Sequence, residues 1–295
     1  MIKFIKDITL TILFTLILYI FLTNSKLIIS SVNNGINVFT KSVLPSLLPF
    51  FILTDILLEF NYFSNLKKII KLKYTNFFTV SIISGLPSNA KYLSDMLRDK
   101  KITLNDASRL LGMSFFPNPM FVIGTVCTLF NTRKPIIILL IIYLSTLLVY
   151  IINYKCLDDN DLIDSQNKVK LFSLLKTSIT SSFNSLIVIL GIIIIFSILT
   201  NIIKYYFNLN SVTSSVISSI LELTTGVKSI SILSIPEVYK YTLLSFALSS
   251  SGLSVNMQAL GILSNYKIDY KYYLKNKLLV IILSTLLTFI VFKNI

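Results

Sequence analysis

Ser84-Gly85-Leu86-Pro87-Ser88-Asn89-Ala90 follows the apolar run Phe77–Ile83 and interrupts it with a glycine, a proline and three polar side chains. Lipid does not tolerate unsatisfied backbone, so a break at membrane depth persists only where it is buried in protein or lines a cavity. At an offset of 167 residues, Ser251-Gly252-Leu253-Ser254-Val255-Asn256 repeats the serine, glycine, leucine and asparagine in register. At the same offset Asp55 matches Glu222, each in or beside an apolar helix. Two such breaks at matching places of two halves point to the binding site of a transporter. The expected fold is all-α: a polytopic membrane protein with two broken or re-entrant helical hairpins in a pseudo-repeat.

Composition agrees. Of 295 residues 54% are hydrophobic, mean hydropathy is +0.78, and several segments are long enough to span a bilayer. The net charge of +14 comes from lysines lying mainly between apolar segments, where they set cytoplasmic orientation. No basic stripe with interleaved aromatics marks a nucleic-acid surface, so the expected partner is the lipid bilayer and not nucleic acid. There is no histidine, Cys127 and Cys156 lack metal-site spacing, and neither a phosphate loop nor a nucleophile elbow is present. The sequence reads as no enzyme, with no cofactor and no metal.

Four regions follow. Residues 1–40 hold a membrane helix, Ile8–Thr23, uncleaved because no small-residue cleavage pattern follows it, and an interfacial helix, Leu27–Lys41. Residues 41–153 form the first repeat. Its span Ser42–Phe60 should bend at Pro45 and Pro49, and positive charge on both sides of Phe77–Lys100 predicts a re-entrant hairpin. An amphipathic Thr103–Met113, a second break at Pro117-Asn118-Pro119 and a plain span, Lys134–Asn153, complete it. Residues 154–170 are a hydrophilic linker. Residues 171–295 hold the second repeat and last span: an amphipathic Leu171–Phe183, a span at Ser185–Phe207, one serine-rich helix from Ser211 to about Gly226, the break near Gly252, and a span near Leu278–Phe292. The run Lys67–Lys73 places its loop, and the N-terminus with Lys3 and Lys6, in the cytoplasm.

The candidate substrate-binding residues are Ser84, Gly85, Pro87, Asn89, Lys91, Asn118, Ser251, Gly252, Asn256 and Gln258. Asn89 and Asn256 stand near helix starts, where an asparagine either caps free N–H groups or aims its amide at a polar substrate. Lys91 either pairs with a substrate carboxylate or reaches the surface. Asn118, between two prolines, sits where backbone carbonyls are left open, or at a simple kink. Asp55 and Glu222 are candidate coupling or structural acids, since an ionisable group inside a membrane faces protein or a wet cavity. A proton or sodium ion would be the coupling ion. An oligomer or a partner membrane protein is left open.

Pro45-Ser46-Leu47-Leu48-Pro49-Phe50-Phe51, then Ser84-Gly85-Leu86-Pro87, then Asn118-Pro119-Met120-Phe121, in this order and spacing, resemble the YlbJ-type sporulation integral membrane proteins. Glu222 with Thr224 and Gly226, then Ser251-Gly252-Leu253-Ser254 with Gln258, extend the resemblance over about residues 40 to 275. Ser88-Asn89 departs from the small residue the family tends to carry after its Gly-x-Pro. The resemblance implies membership of the nucleoside-recognition Gate proteins and a fold like one core of the concentrative nucleoside transporters. It also implies movement of dipicolinic acid, a small organic anion, across the mother-cell-derived outer forespore membrane. A nucleoside cargo, or a non-transporting sporulation membrane scaffold, are the alternatives.

Overall fold

The computed structural model describes residues 2–59, 73–154, 157 and 171–294. Residues 67–72 of the lysine-rich run, and the 154–170 linker apart from Tyr154 and Leu157, lie outside the described residues. Among the described residues the chain is helical, without strands.

Helix α1 spans Ile2–Thr23 and α2 spans Ser25–Val38. A π-helical turn, Phe39–Val43, then leads without interruption into α3, Leu44–Glu59. Proline cannot donate to the i−4 carbonyl, so Pro45 and Pro49 loosen the ladder, and the widened turn lies directly before Pro45. The helix therefore continues, and Leu27–Lys41 is not a separate interfacial helix: α2 and α3 form one run that packs along the long helix Leu171–Tyr206.

After α3 come α4 (Thr75–Ser84), the break, α5 (Ser88–Arg98) and α6 (Leu104–Leu111). Thr103 caps α6 by accepting from the Asp106 N–H at 3.1 Å. The extended segment through Pro117-Asn118 leads into a π-helical turn, Phe121–Val126, and a short α7 (Cys127–Phe130). Helix α8 (Pro135–Asn153) starts on its proline, whose missing N–H is not needed in a first turn.

The second half opens with α9 (Leu171–Tyr206), in which the expected amphipathic helix and span are one element. Helix α10 (Ser211–Leu221) stops at Glu222, and α11 (Leu223–Ser231) starts there, so the single serine-rich helix expected to Gly226 is a hairpin. Helices α12 (Glu237–Ser250), α13 (Gly252–Ile262) and α14 (Tyr270–Lys293) follow. Among the described residues four helices are long and apolar enough to cross a membrane: Ser25–Leu57, Pro135–Asn153, Phe172–Tyr206 and Tyr270–Lys293.

The two halves share one element order: a long helix, a tight hairpin, a helix broken in the middle, and a plain span. Their packing repeats as well. Helix α6 lies on α14 as α12 lies on α8, and α5 touches α13 as α11 touches α7. The long helices α3 and α9 pack on each other, as do the spans α8 and α14. This correspondence corrects the offset of 167 read from the sequence. Gly85 of the first hairpin is matched by Glu222, 137 residues on, and Asn118 by Ser251, 133 residues on. Asp55 and Glu222 are not equivalent positions.

Candidate functional site

The four breaks meet in pairs. Gly85 has φ +65° and ψ −168°, a region open essentially to glycine. A Cβ there would lie 2.6 Å from the Asn118 N and 2.7 Å from the Phe116 O, so the bare backbone is what lets the two breaks touch. The Leu86 N–H donates to the Phe116 carbonyl at 2.9 Å, and the Asn118 Nδ2 donates to the Ser84 carbonyl at 3.0 Å. In the second half, Gly252 (φ +62°) sits against the Ser219 carbonyl and the Leu223 N, where a Cβ would meet each at 3.0 Å. The same device thus joins hairpin to broken helix twice.

Between the two pairs lies a cavity of about 50 Å³. Pro87, Asn118, Glu222, Ser251 and Gln258 line it, bringing five of the candidate residues to one place. Its apolar walls include Leu47, Leu86, Phe121, Leu248 and Val255, and Ser46 and Thr224 add hydroxyls. Since one water needs roughly 10–15 Å³ by this measure, the cavity has room for a few waters and not for an aromatic ring.

Its polar groups divide into those already engaged and those left over. The Glu222 carboxylate, 1% exposed, accepts from the Thr224 N–H at 3.1 Å and the Thr225 N–H at 2.7 Å, capping α11 with its charge at a positive helix end. The Asn118 Oδ1 accepts from the Phe121 N–H at 3.0 Å, so both ends of that amide are engaged. The carbonyls at this break are also engaged, Phe116 O by Leu86 and Pro117 O by the Tyr143 hydroxyl at 3.3 Å. By contrast Gln258, 3% exposed, has no hydrogen-bond partner among the described residues, and neither has the Thr224 hydroxyl. Buried polar groups are normally paired, so among the side chains lining the cavity these two have capacity to spare, as have the buried Asn89 Oδ1 and the Ser88 and Ser254 hydroxyls beside the breaks. Helix α13 begins beside them with no side-chain cap.

The other candidates are placed elsewhere. Asn89 is fully buried, and its Nδ2 donates to the Ser114 carbonyl at 2.8 Å and hydroxyl at 3.0 Å. Asn256 donates to the Ser250 carbonyl at 3.0 Å and to that of Gly252, while its Oδ1 accepts from the Tyr273 hydroxyl. Both asparagines brace the breaks and neither lines the cavity, which corrects their expected role as ligands. The Ser84 hydroxyl donates to the Val80 carbonyl at 2.8 Å. Lys91 is not available to a substrate: its Nζ lies 2.7 Å from both Asp55 oxygens and 3.8 Å from Asp95.

Asp55 opens onto a second, polar space of about 410 Å³, with Tyr92, Asp95, Arg98, Thr177 and Ser181 among its walls. Arg98 pairs with Asp95 at 2.8 Å. Burial pushes the Asp95 carboxyl above its ordinary range, against the pull of Lys91 and Arg98. Sequence reasoning missed Ser46 and Thr224. Ser46 carried a signal in its place between Pro45 and Pro49, whereas Thr224 is marked only by the acid that caps its helix.

No family model matches the chain, and no solved structure matches it. It is 26% identical over 288 aligned positions to the sporulation integral membrane protein YlbJ of Bacillus subtilis (strain 168), covering 80% of this chain and 71% of that protein. In the order of its break residues and in its all-helical architecture, with helices long and apolar enough to cross a membrane, the chain is similar to this sporulation integral membrane protein.

Proposed function

We propose that the chain transports a small organic anion by alternating access around its broken helices, with the central cavity as the substrate site. The observation that carries this reading is the unpartnered Gln258 amide, beside the Thr224 hydroxyl and the uncapped start of α13. A helix start offers N–H groups and a positive dipole end to a carboxylate, and an amide adds a directed hydrogen bond. The apolar walls suit a ring. Asp55 is held by Lys91 outside the cavity, and the Glu222 charge is taken up by two N–H groups, so the acids do not oppose an anion as their presence in the sequence alone suggested.

Dipicolinate, an aromatic ring with two carboxylates, has this chemistry, and the family resemblance favours it as the cargo. The reading then locates the protein in the mother-cell-derived outer forespore membrane, with a proton or sodium ion as coupling ion. The cavity must widen to admit the ring. Uptake of labelled dipicolinate and of labelled uridine into proteoliposomes tests this. Saturable dipicolinate uptake is the expected result; uridine uptake would reassign the cargo to nucleosides, and uptake of neither by folded protein would favour a membrane scaffold.

A further inference from the structure

Three helices run past both the central cavity and the polar space. Helix α3 contributes Ser46 and Leu47 to the first and Asp55 to the second. At about 1.5 Å per residue, nine residues separate the two by about 13 Å. Pro87, at the start of α5, lines the cavity, while Tyr92, Asp95 and Arg98 along that helix line the polar space. Helix α9 runs the other way, with Ile193 at the cavity and Thr177 and Ser181 at the polar space.

Between them along α3 and α9 pack the buried side chains of Phe51, Leu186 and Ile189, and where this apolar layer meets the polar space stands one ion pair. Lys91 on α5, its side chain 7% exposed, meets Asp55 on α3 at 2.7 Å. The Lys91 Nζ also stands 5.7 Å from the ring centroid of Phe51, a fully buried residue one turn before Asp55. Ser181 of α9 donates to Asp55 at 3.4 Å, so all three helices are tied at this level. A third space of about 390 Å³, at the base of the second hairpin, is lined by Ser211, Ser214, Ser215, Ser229, Ile232 and Leu233 among others and by no charged residue. The pair is therefore a feature of one end of the molecule, the end at which α3 leads toward the lysine-rich run.

We propose that the Asp55–Lys91 pair is the cytoplasmic gate of the transport path, closing the route from the polar space to the central cavity and opening as α3 and α5 part. This rests on the transporter reading of the cavity. Two opposite charges in a largely buried place hold their elements together strongly when paired, yet each keeps a hydrated alternative in the polar space once separated. That makes the contact a two-state one, with the open form a minor population.

The test uses the full chain, with Cys127 and Cys156 replaced by serine and one cysteine introduced at the cavity, Ser46→Cys. A membrane-impermeant methanethiosulfonate is added from the cytoplasmic face of inside-out vesicles, so the readout needs no known cargo. With the pair intact, Ser46→Cys should react far more slowly than Thr177→Cys in the polar space. Asp55→Asn and Lys91→Gln should each speed modification of Ser46→Cys about tenfold or more, as expected when a minor open state becomes a major one. The exchanged pair, Asp55→Lys with Lys91→Asp, should restore protection. Ser46→Cys reacting as fast as Thr177→Cys with the pair intact, or unchanged by the folded single variants, would overturn the gate. Accelerated labelling supports the gate whatever the cargo, whereas absent uptake in the same vesicles would count against transport instead.

Discussion

The Asn118 amide donates to the Ser84 carbonyl at 3.0 Å, tying the last turn of one broken element to the break of another across 34 residues of sequence. Because the same side chain accepts from the Phe121 N–H, it closes one helix and starts the next. Asn118→Ala should lower stability by on the order of 1–3 kcal/mol, since two buried backbone groups lose their partners. Asn118→Asp sets a carboxylate oxygen against the Ser84 carbonyl in a buried place, so its loss should be at least as large. Thermal unfolding in detergent, followed by size-exclusion recovery, ranks the two.

Gly85→Ala places a methyl within 2.6 Å of the Asn118 N in a backbone region that side chains avoid. The expected cost is about 1–3 kcal/mol or more, seen as a clear fall in Tm. Gly191→Ala is the control: nothing lies within 4 Å of its Cβ, and α9 is helical throughout. That variant should be neutral or gain about 0.5–1 kcal/mol from helix propensity. Equal Tm values for the two would contradict the close approach of the breaks.

Asn89→Ala and Asn256→Ala should damage the scaffold more than the site. Both amides bond within the protein, and neither lines the cavity. The expected pattern is a lowered Tm with KM little changed in the protein that remains folded. A large rise in KM at unchanged Tm would return these residues to the substrate.

Glu222→Ala removes the acceptor for two N–H groups at the start of α11 and should cost about 0.5–2 kcal/mol, the usual range for a lost cap. Glu222→Gln retains one acceptor oxygen and should recover part of that stability. If Glu222 serves as a cap and not as a cation ligand, uptake by Glu222→Gln should keep the ion dependence of the unaltered protein. Loss of that dependence in uptake assays would make it the coupling acid.

The breaks at Gly85, Pro117-Asn118 and Gly252 were legible because glycine and proline act locally: each fixes or frees its own backbone wherever the chain goes. Glu222 was a different case. The acid preceding Thr224 and Thr225 is an ordinary helix-start pattern, but a continuous serine-rich helix was read through it. Which breaks correspond was not legible at all. Short matches at 167 residues paired Asp55 with Glu222, while the packing of α6 on α14 and of α12 on α8 sets the repeat at about 135. The partner of Lys91 was hidden for a related reason, since Asp55 lies 36 residues before it and meets it only when α3 and α5 pack.

Dipicolinate uptake by Gln258→Ala, in proteoliposomes matched for protein and compared with the unaltered chain, tests the central cavity most directly. The amide has no hydrogen-bond partner among the described residues, so its removal should lower Tm only by the packing of its buried methylenes. It should lower kcat/KM by about tenfold or more, the effect of losing one good hydrogen bond to a charged substrate. Unchanged uptake kinetics in Gln258→Ala would contradict the assignment of this cavity as the substrate site.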